Sequence, residues 1–332
     1  MKDTVVRENK PSFITHALKI LRTVVPWLVS AGLLSFVILT NDMDEVVRAF
    51  YHVNWIVYIA VTIPFLLCLL LLETTFLTYG FRWFAGAGCF SDLLRARAAT
   101  YLLTVISIFV GLGGLMVYGK RRYGVSYAMG TTIMLNELLH ELASQCTLAM
   151  LVSILLTAAY VPEAAKPAIA GVATVGLIGV SIYVFILIIN RLARFMPAFI
   201  RENKVLAPFS GIPIRQYGSF YLIKLVQNLL YGLFLAGLLL AFNICPPIIT
   251  SIGFMQIIHL TRALPISAFG IGVDQVAITE LFRAWEPPGS GLLLAASVVF
   301  TFTLIIGRAL LGVPFIKSVS DDLVERPAAS GA

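Results

Sequence analysis

The sequence predicts an all-α polytopic membrane protein of six spanning helices and two re-entrant or broken helical hairpins, arranged as an inverted repeat. Three observations carry that expectation. Hydrophobic residues make up 59% of the 332, charged residues only 12%, and the apolar residues fall in long uninterrupted blocks rather than in stripes. A soluble domain carries about 25% charged residues, so this chain cannot cover itself in water and lipid is its solvent. The excess of 24 Lys and Arg over 17 Asp and Glu lies mostly in short connections beside the apolar blocks. That placement reads as topology and contact with anionic lipid, not as nucleic-acid binding.

Taken in order, residues 24–40, 55–79, 129–160, 167–189, 219–242 and 292–313 are each long enough to cross a hydrocarbon core of about 30 Å. Residues 38–42 offer no small-residue cleavage site, so the first block is read as an uncleaved helix. Two further apolar stretches, 100–118 and 247–285, are interrupted by GLGG at Gly111–Gly114 and by LPISAFGIG at Leu264–Gly272. A spanning 100–118 would place Lys120, Arg121 and Arg122 opposite to Arg82, Arg95 and Arg97; a segment that turns back at GLGG, with Gly113 and Gly114 in the turn, puts all the basic clusters on the cytoplasmic side. The same logic makes the second stretch enter and leave from outside. The organisation expected is a cytoplasmic segment 1–23, a first transmembrane half 24–160, a second half 167–313 and a cytoplasmic tail 314–332 in the inner membrane, with no room for a soluble catalytic domain. The competing reading of GLGG is a glycine patch that lets helices pack closely.

Ionisable groups inside apolar blocks need a partner, a watery cavity or a route to the interface. Glu73 and Lys224 occupy corresponding helices of the two halves, as do Glu137 with Glu141 and Arg308, so acid in one half answers base in the other. Lys224 and Arg308 lie near helix ends, where snorkelling is the alternative. Glu137, His140 and Glu141 share a helical face and suit a polar cavity wall or a proton-coupled step, although a hydrogen-bonded structural histidine is the simpler role for His140. In the second hairpin Arg262 precedes the tip, Pro265 stops a helix, and Gly270 and Gly272 let backbone approach a ligand. Asp274 and Gln275 open the returning helix, whose N-terminus favours an anion. A guanidinium there suits a lipid phosphate; the alternative is that Arg262 and Asp274 neutralise one another. One Glu-x-x-His at Glu137–His140 lacks the second copy a di-iron site needs, and Ser144 stands where a zinc-protease histidine belongs. The cysteines Cys68, Cys89, Cys146 and Cys245 show no CxxC spacing. No metal, cofactor or catalytic group is expected.

The stretches GLGGLMVYGKRRYGVSYAMGTTIMLNELL, LPISAFGIGVDQVAITELF and AASVVFTFTLIIGRALLG resemble the transmembrane region of the lysylphosphatidylglycerol synthase family, over essentially the whole chain. The second stretch is the specific one. Departures fall on polar positions: Leu115 where the family has an acid, Asp274 and Gln275 where Arg-Glu is common, and Asn136 and Glu137 where it has Glu-Arg. The resemblance implies a flippase-like membrane unit that moves a phospholipid or polyprenyl-phosphate lipid with an anionic headgroup between leaflets. Its partners would be membrane lipid and either a second copy of the chain or lipid-synthesis enzymes. The alternative is a membrane-embedded enzyme or accessory factor in lipid or lipid-linked sugar synthesis.

Overall fold

A computed structural model describes residues 43–104, 108–157, 166–192, 214–263 and 270–325, together with residue 163 and isolated positions 28, 31, 32, 35 and 39. The expected span 24–40, most of the basic loop 191–215 and Pro265 lie outside the described residues. Among the described residues the secondary structure is helical throughout. A short amphipathic α1 (Met43–Tyr51) buries Val46 and Ala49 and leads into α2 (Trp55–Ala85). The side chain of Asn54 caps α2 by accepting from the Val57 N–H at 3.1 Å. Gly86, at φ 64°, ends it by turning its N–H back to the Phe81 carbonyl.

The remaining helices are α3 (Phe90–Thr104), α4 (Ile108–Tyr123), α5 (Tyr127–Thr157), α6 (Lys166–Leu192), α7 (Ile214–Ala241), α8 (Ile248–Ala263) and α9 (Val273–Phe282). The last span is interrupted: α10 (Leu292–Phe302), a π turn at Thr303–Gly307, α11 (Arg308–Gly312), a 3-10 turn at Val313–Phe315 and α12 (Ile316–Glu325). Five helices are long and apolar enough to cross a membrane: Trp55–Ala85, Tyr127–Leu156, Lys166–Ile188, Arg215–Ala241 and Leu292–Asp322. These are five of the six spans read from the sequence. Their outward faces are apolar, as lipid requires: on α2, Ile56, Ile59, Ile63, Leu67 and Leu71 are exposed, while Phe65, Leu69, Glu73, Phe76 and Leu77 point inward. Phe65 stacks on Phe234 of α7 with ring centroids 4.0 Å apart, at the centre of the main core.

The backbone N–H of Asn54 donates to the Ala241 carbonyl at 2.8 Å, and Phe84 stacks on Phe220. The start of α2 therefore lies beside the end of α7, and the two helices run antiparallel. At about 1.5 Å per residue, the 31 residues of α2 cover about 46 Å, enough to separate two membrane faces. The pairs α3–α4 and α8–α9 form hairpins of helices only 15, 16, 16 and 10 residues long. Cys89 beside the first hairpin donates its N–H to the Tyr123 hydroxyl at 3.2 Å, so that hairpin opens at the far end of α2. The second begins just after Cys245, at the Asn54 end.

The GLGG segment corrects one sequence expectation. Gly113 and Gly114 lie inside α4, not in a turn, and the bend falls at residues 105–107, outside the described residues. The reason is packing between the two arms. A Cβ at Gly111 would sit 2.3 Å from the Thr104 methyl and one at Gly114 2.5 Å from a Leu103 methyl, so the glycines permit α3 and α4 to approach closely.

The mouth of this hairpin is clamped by Asp92. Its carboxylate accepts from Arg95 Nη2 at 2.6 Å and from Arg122 Nη2 at 2.7 Å. Burial raises the Asp92 carboxyl and the hydrogen bonds from Arg122 and Arg95 outweigh it, holding it below the usual carboxylate range. A depressed folded-state value means that the clamp is fully present above the unfolded Asp value of about 3.9 and is lost as pH falls through the folded one. Asp92→Asn should therefore lower thermal stability in detergent by about 1.5–3 kcal/mol at neutral pH, and the gap between wild type and variant should close on acidification below about pH 4. A gap that persists at acid pH would show that the Asp92 charge is not what holds the mouth.

Cys89 and Cys245 are both exposed and lie at opposite ends of α2. A membrane-impermeant maleimide should modify only one of them in intact cells, and the other only after permeabilisation; simultaneous labelling would contradict the antiparallel arrangement of α2 and α7.

Candidate functional site

Polar side chains carried into the core by α2, α3, α5, α7, α8, α9, α10 and α11 form three ion-paired groups. In the first, Glu73 Oε2 accepts from Arg97 Nε and from the Tyr101 hydroxyl, both at 2.7 Å. Arg308 Nη2 approaches the other carboxylate oxygen at 3.6 Å and donates to the Tyr231 hydroxyl. The Tyr101 ring serves both guanidiniums, with Arg97 5.5 Å and Arg308 5.4 Å from its centroid.

In the second group, Lys224 Nζ lies 2.9 Å from Glu137 Oε1 and 3.0 Å from Glu141 Oε2, and donates to Gln227 Oε1 at 3.1 Å. It also sits over the Phe76 ring. The third group is Arg262 with Asp274: Nε donates to both carboxylate oxygens, at 2.8 and 3.0 Å, Nη2 pairs with Oδ2, and the Thr301 hydroxyl adds a bond at 2.8 Å. Gly270 (φ 79°) and Gly272 (φ 85°) form the turn before α9. The Gln275 carbonyl oxygen accepts from the Gly272 N–H at 2.6 Å, capping the helix, and its amide donates to Thr301 at 3.1 Å.

Neutral polar groups join these pairs. The Tyr231 ring meets His259 at 4.1 Å between centroids. His259 Nδ1 lies 3.3 Å from Asn228 Oδ1 and 3.5 Å from Gln145 Nε2, and Gln145 donates to Glu141 at 3.1 Å. A chain of side chains thus runs from Glu73 through Arg308, Tyr231, His259 and Gln145 to Glu141 and Lys224. Its charges balance: the acids Glu73, Glu137, Glu141 and Asp274 match the bases Arg97, Lys224, Arg262 and Arg308 one for one. Balance is what a low-dielectric interior demands, since an uncompensated buried ion costs several kcal/mol.

The structure revises several sequence readings. Lys224 is 1% exposed and does not snorkel; Arg308 turns inward as well. The corresponding acids and bases pair, but across: Glu73 meets Arg308 and Lys224 meets Glu137 and Glu141. Arg97 belongs to this interior and not to the cytoplasmic basic cluster, because it lies a turn deeper along α3 than Asp92 and finds Glu73 on α2. Arg262 is occupied by Asp274, the neutralising alternative. His140 is buried apart from the ion pairs, bonded through Nδ1 to the Asn136 carbonyl at 2.7 Å and packed near Phe76, Tyr217 and Phe220.

Sequence reasoning missed Arg97, Tyr101, Gln145, Gln227, Asn228 and Tyr231. A signal was present: Lys224, Gln227, Asn228 and Tyr231 recur at spacings of three, four and seven, and Glu137, Glu141, Ser144 and Gln145 do likewise, each a polar stripe along an apolar helix. Protein partners do not exhaust the hydrogen-bonding capacity of the network, for Arg97 Nη1, Arg308 Nε and Glu137 Oε2 are buried without one. Comparison of the chain with protein-family models, curated proteins and solved structures gives no match.

Because Asp274 is fully buried, removing either member of its pair strands the other. Arg262→Gln and Asp274→Asn should each cost about 3–5 kcal/mol of stability, and the double variant should cost clearly less than the sum. Thermal unfolding in detergent of the two singles and the double measures the coupling; additive losses would mean that the pair is not a unit.

Proposed function

We propose that this protein is a lipid translocase, carrying an anionic phospholipid or polyprenyl-phosphate lipid between leaflets. The observation that supports it best is a charge-balanced polar network deep among spanning helices whose members Glu137, Glu141, Arg262 and Arg308 keep 13%, 20%, 19% and 22% of their side-chain surface exposed. A headgroup crossing about 30 Å of hydrocarbon needs such groups within reach. Ions bonded to one another can release to a headgroup and re-pair behind it, so the interior is not left charged.

An inverted repeat supplies the means of exposing that interior to each face. In this reading the two hairpins are re-entrant, 24–40 is the sixth span, and α2 corresponds to α7, α3–α4 to α8–α9, and α5 to α10–α12. The packing follows the correspondence: α2 lies against α3 and α7 against α8, while α3 meets α11 and α8 meets α5. Exchanging corresponding helices also turns the Glu73–Arg308 pair into the Lys224–Glu137/Glu141 pair, with the signs reversed. The resemblance in the sequence points to the same class of function. With the basic clusters in the cytoplasm, Cys245 is the outward thiol.

Reconstituted protein should accelerate equilibration of fluorescent phosphatidylglycerol between leaflets. Glu137→Gln should slow it about tenfold or more while the protein stays folded, since Glu141 remains to neutralise Lys224; a 1.4 kcal/mol change in the barrier suffices. Lys224→Met should instead destabilise the fold, because it leaves two carboxylates without a cation. An imposed pH gradient should change the rate if a carboxylate takes up a proton during the cycle. No acceleration across a panel of anionic lipids, together with modification of a lipid-linked substrate in detergent, would replace transport with enzymatic activity.

A further inference from the structure

Where α5 and α7 pack together along the core, α2 and α10–α11 stand further apart and leave a groove of about 460 Å³ open to the lipid side. The volume lies within the range of about 300–1,000 Å³ typical of small-ligand sites. Trp55, Tyr58, Thr62, Thr303, Gly307 and Leu310 mark its course. Two contacts hold its floor: the Tyr58 and Thr303 hydroxyls bond at 2.6 Å, and a Leu66 methyl lies 2.7 Å from where a Cβ on Gly307 would be. The π turn at Thr303–Gly307 widens the last span at this point, and π turns occur often at functional sites.

One polar atom has no protein partner there. The Thr62 hydroxyl is buried and unbonded, although Thr62 is only 8% exposed and lines the groove. A hydroxyl in such a place costs free energy unless something accepts its hydrogen bond. Thr62 lies seven residues past Trp55, or about 10 Å along α2. Trp55 and Tyr58 are the aromatic residues expected in the interfacial layer, which is about 5–7 Å thick on each side. Thr62 thus sits a few ångström inside the hydrocarbon boundary, at the depth of the ester groups of bilayer lipids. Beyond it the lining is apolar as far as Leu310.

We propose that this groove binds one acyl tail of an ester-linked membrane lipid, whose ester carbonyl accepts the hydrogen bond of Thr62 and whose hydrocarbon runs past Thr303 and Gly307 towards Leu310. The occupant follows from the setting: the groove lies on the lipid-facing side of two membrane-spanning segments, its walls are apolar, and its one unpaired polar atom is a donor that an ester carbonyl satisfies. The site is separate from the ion-paired network and does not depend on the transport reading.

The test uses full-length protein in vesicles of phosphatidylethanolamine and phosphatidylglycerol doped with a phosphatidylglycerol that carries a photoactivatable diazirine in one acyl tail. Cross-links mapped by mass spectrometry should concentrate on the groove faces of α2 and α10–α11 over the lipid-exposed face of α6, which serves as the reference within each sample. Thr62→Val keeps the shape and removes the donor, so groove labelling should fall about fivefold, as loss of one neutral hydrogen bond implies, with α6 labelling unchanged. An ether-linked version of the probe should label wild type as weakly as the ester probe labels Thr62→Val. Val299→Trp should fill the groove and abolish its labelling. Equal labelling of groove and α6, or labelling insensitive to Val299→Trp, would overturn the proposal, as would cross-links showing a second copy of the chain seated in the groove.

Discussion

The fold depends on one constraint: a charge held in hydrocarbon must meet its opposite. Glu73, Lys224, Asp274 and Arg308 sit on four different helices, and none has a partner on its own helix or within its own turn. Each is satisfied only when α2 meets α3 and α11, α7 meets α5, and α8 meets α9. Apolar packing alone discriminates weakly in a membrane, because lipid tails are as apolar as leucine. The ion pairs therefore specify which helices become neighbours and in what rotational setting, since a helix turned by one residue would point its charge at lipid.

Close backbone approach does the rest. On α6 the outward residues Leu177, Ile178, Ile182 and Phe185 are exposed, and the helix is held largely through α5. There Gly176 and Gly179 leave room for the Met150 backbone and the Cys146 thiol, which a Cβ would meet at 2.6 and 2.1 Å. The first hairpin uses the same device at Gly111 and Gly114. Dispersion between helices and hydrogen bonds between ions are thus divided in space: small residues bind the periphery and the hairpin arms, and charges bind the centre.

The polar centre also joins order to function. Lys224 is shared by two carboxylates, and Arg308 by a carboxylate and a phenol. A shared ion has alternatives at hand, so one bond can be exchanged without exposing a bare charge. Such an interior is stable at rest and still able to rearrange when a charged headgroup arrives. The groove between α2 and α10–α11 is of another kind, apolar with a single donor, and suits the part of a lipid that the polar centre repels.

Much of this was readable along the chain. The lengths of the apolar blocks fix the spans, because helix rise and bilayer thickness leave little choice, and five of the six are found in the described residues. Gly270 and Gly272 were recognisable as a turn, and Glu73, Glu137, Glu141, Lys224 and Arg308 as interior charges, because their cost in hydrocarbon does not depend on the fold. Their partners were not readable. Arg97 looks like one of several arginines at a helix end until α2 brings Glu73 beside it, and GLGG looks like a turn until Thr104 and Leu103 are seen to need the space. The sequence by itself determined which groups must be buried and paired; only the tertiary structure decided with whom, because pairing across helices depends on rotation and depth that no spacing within one helix records.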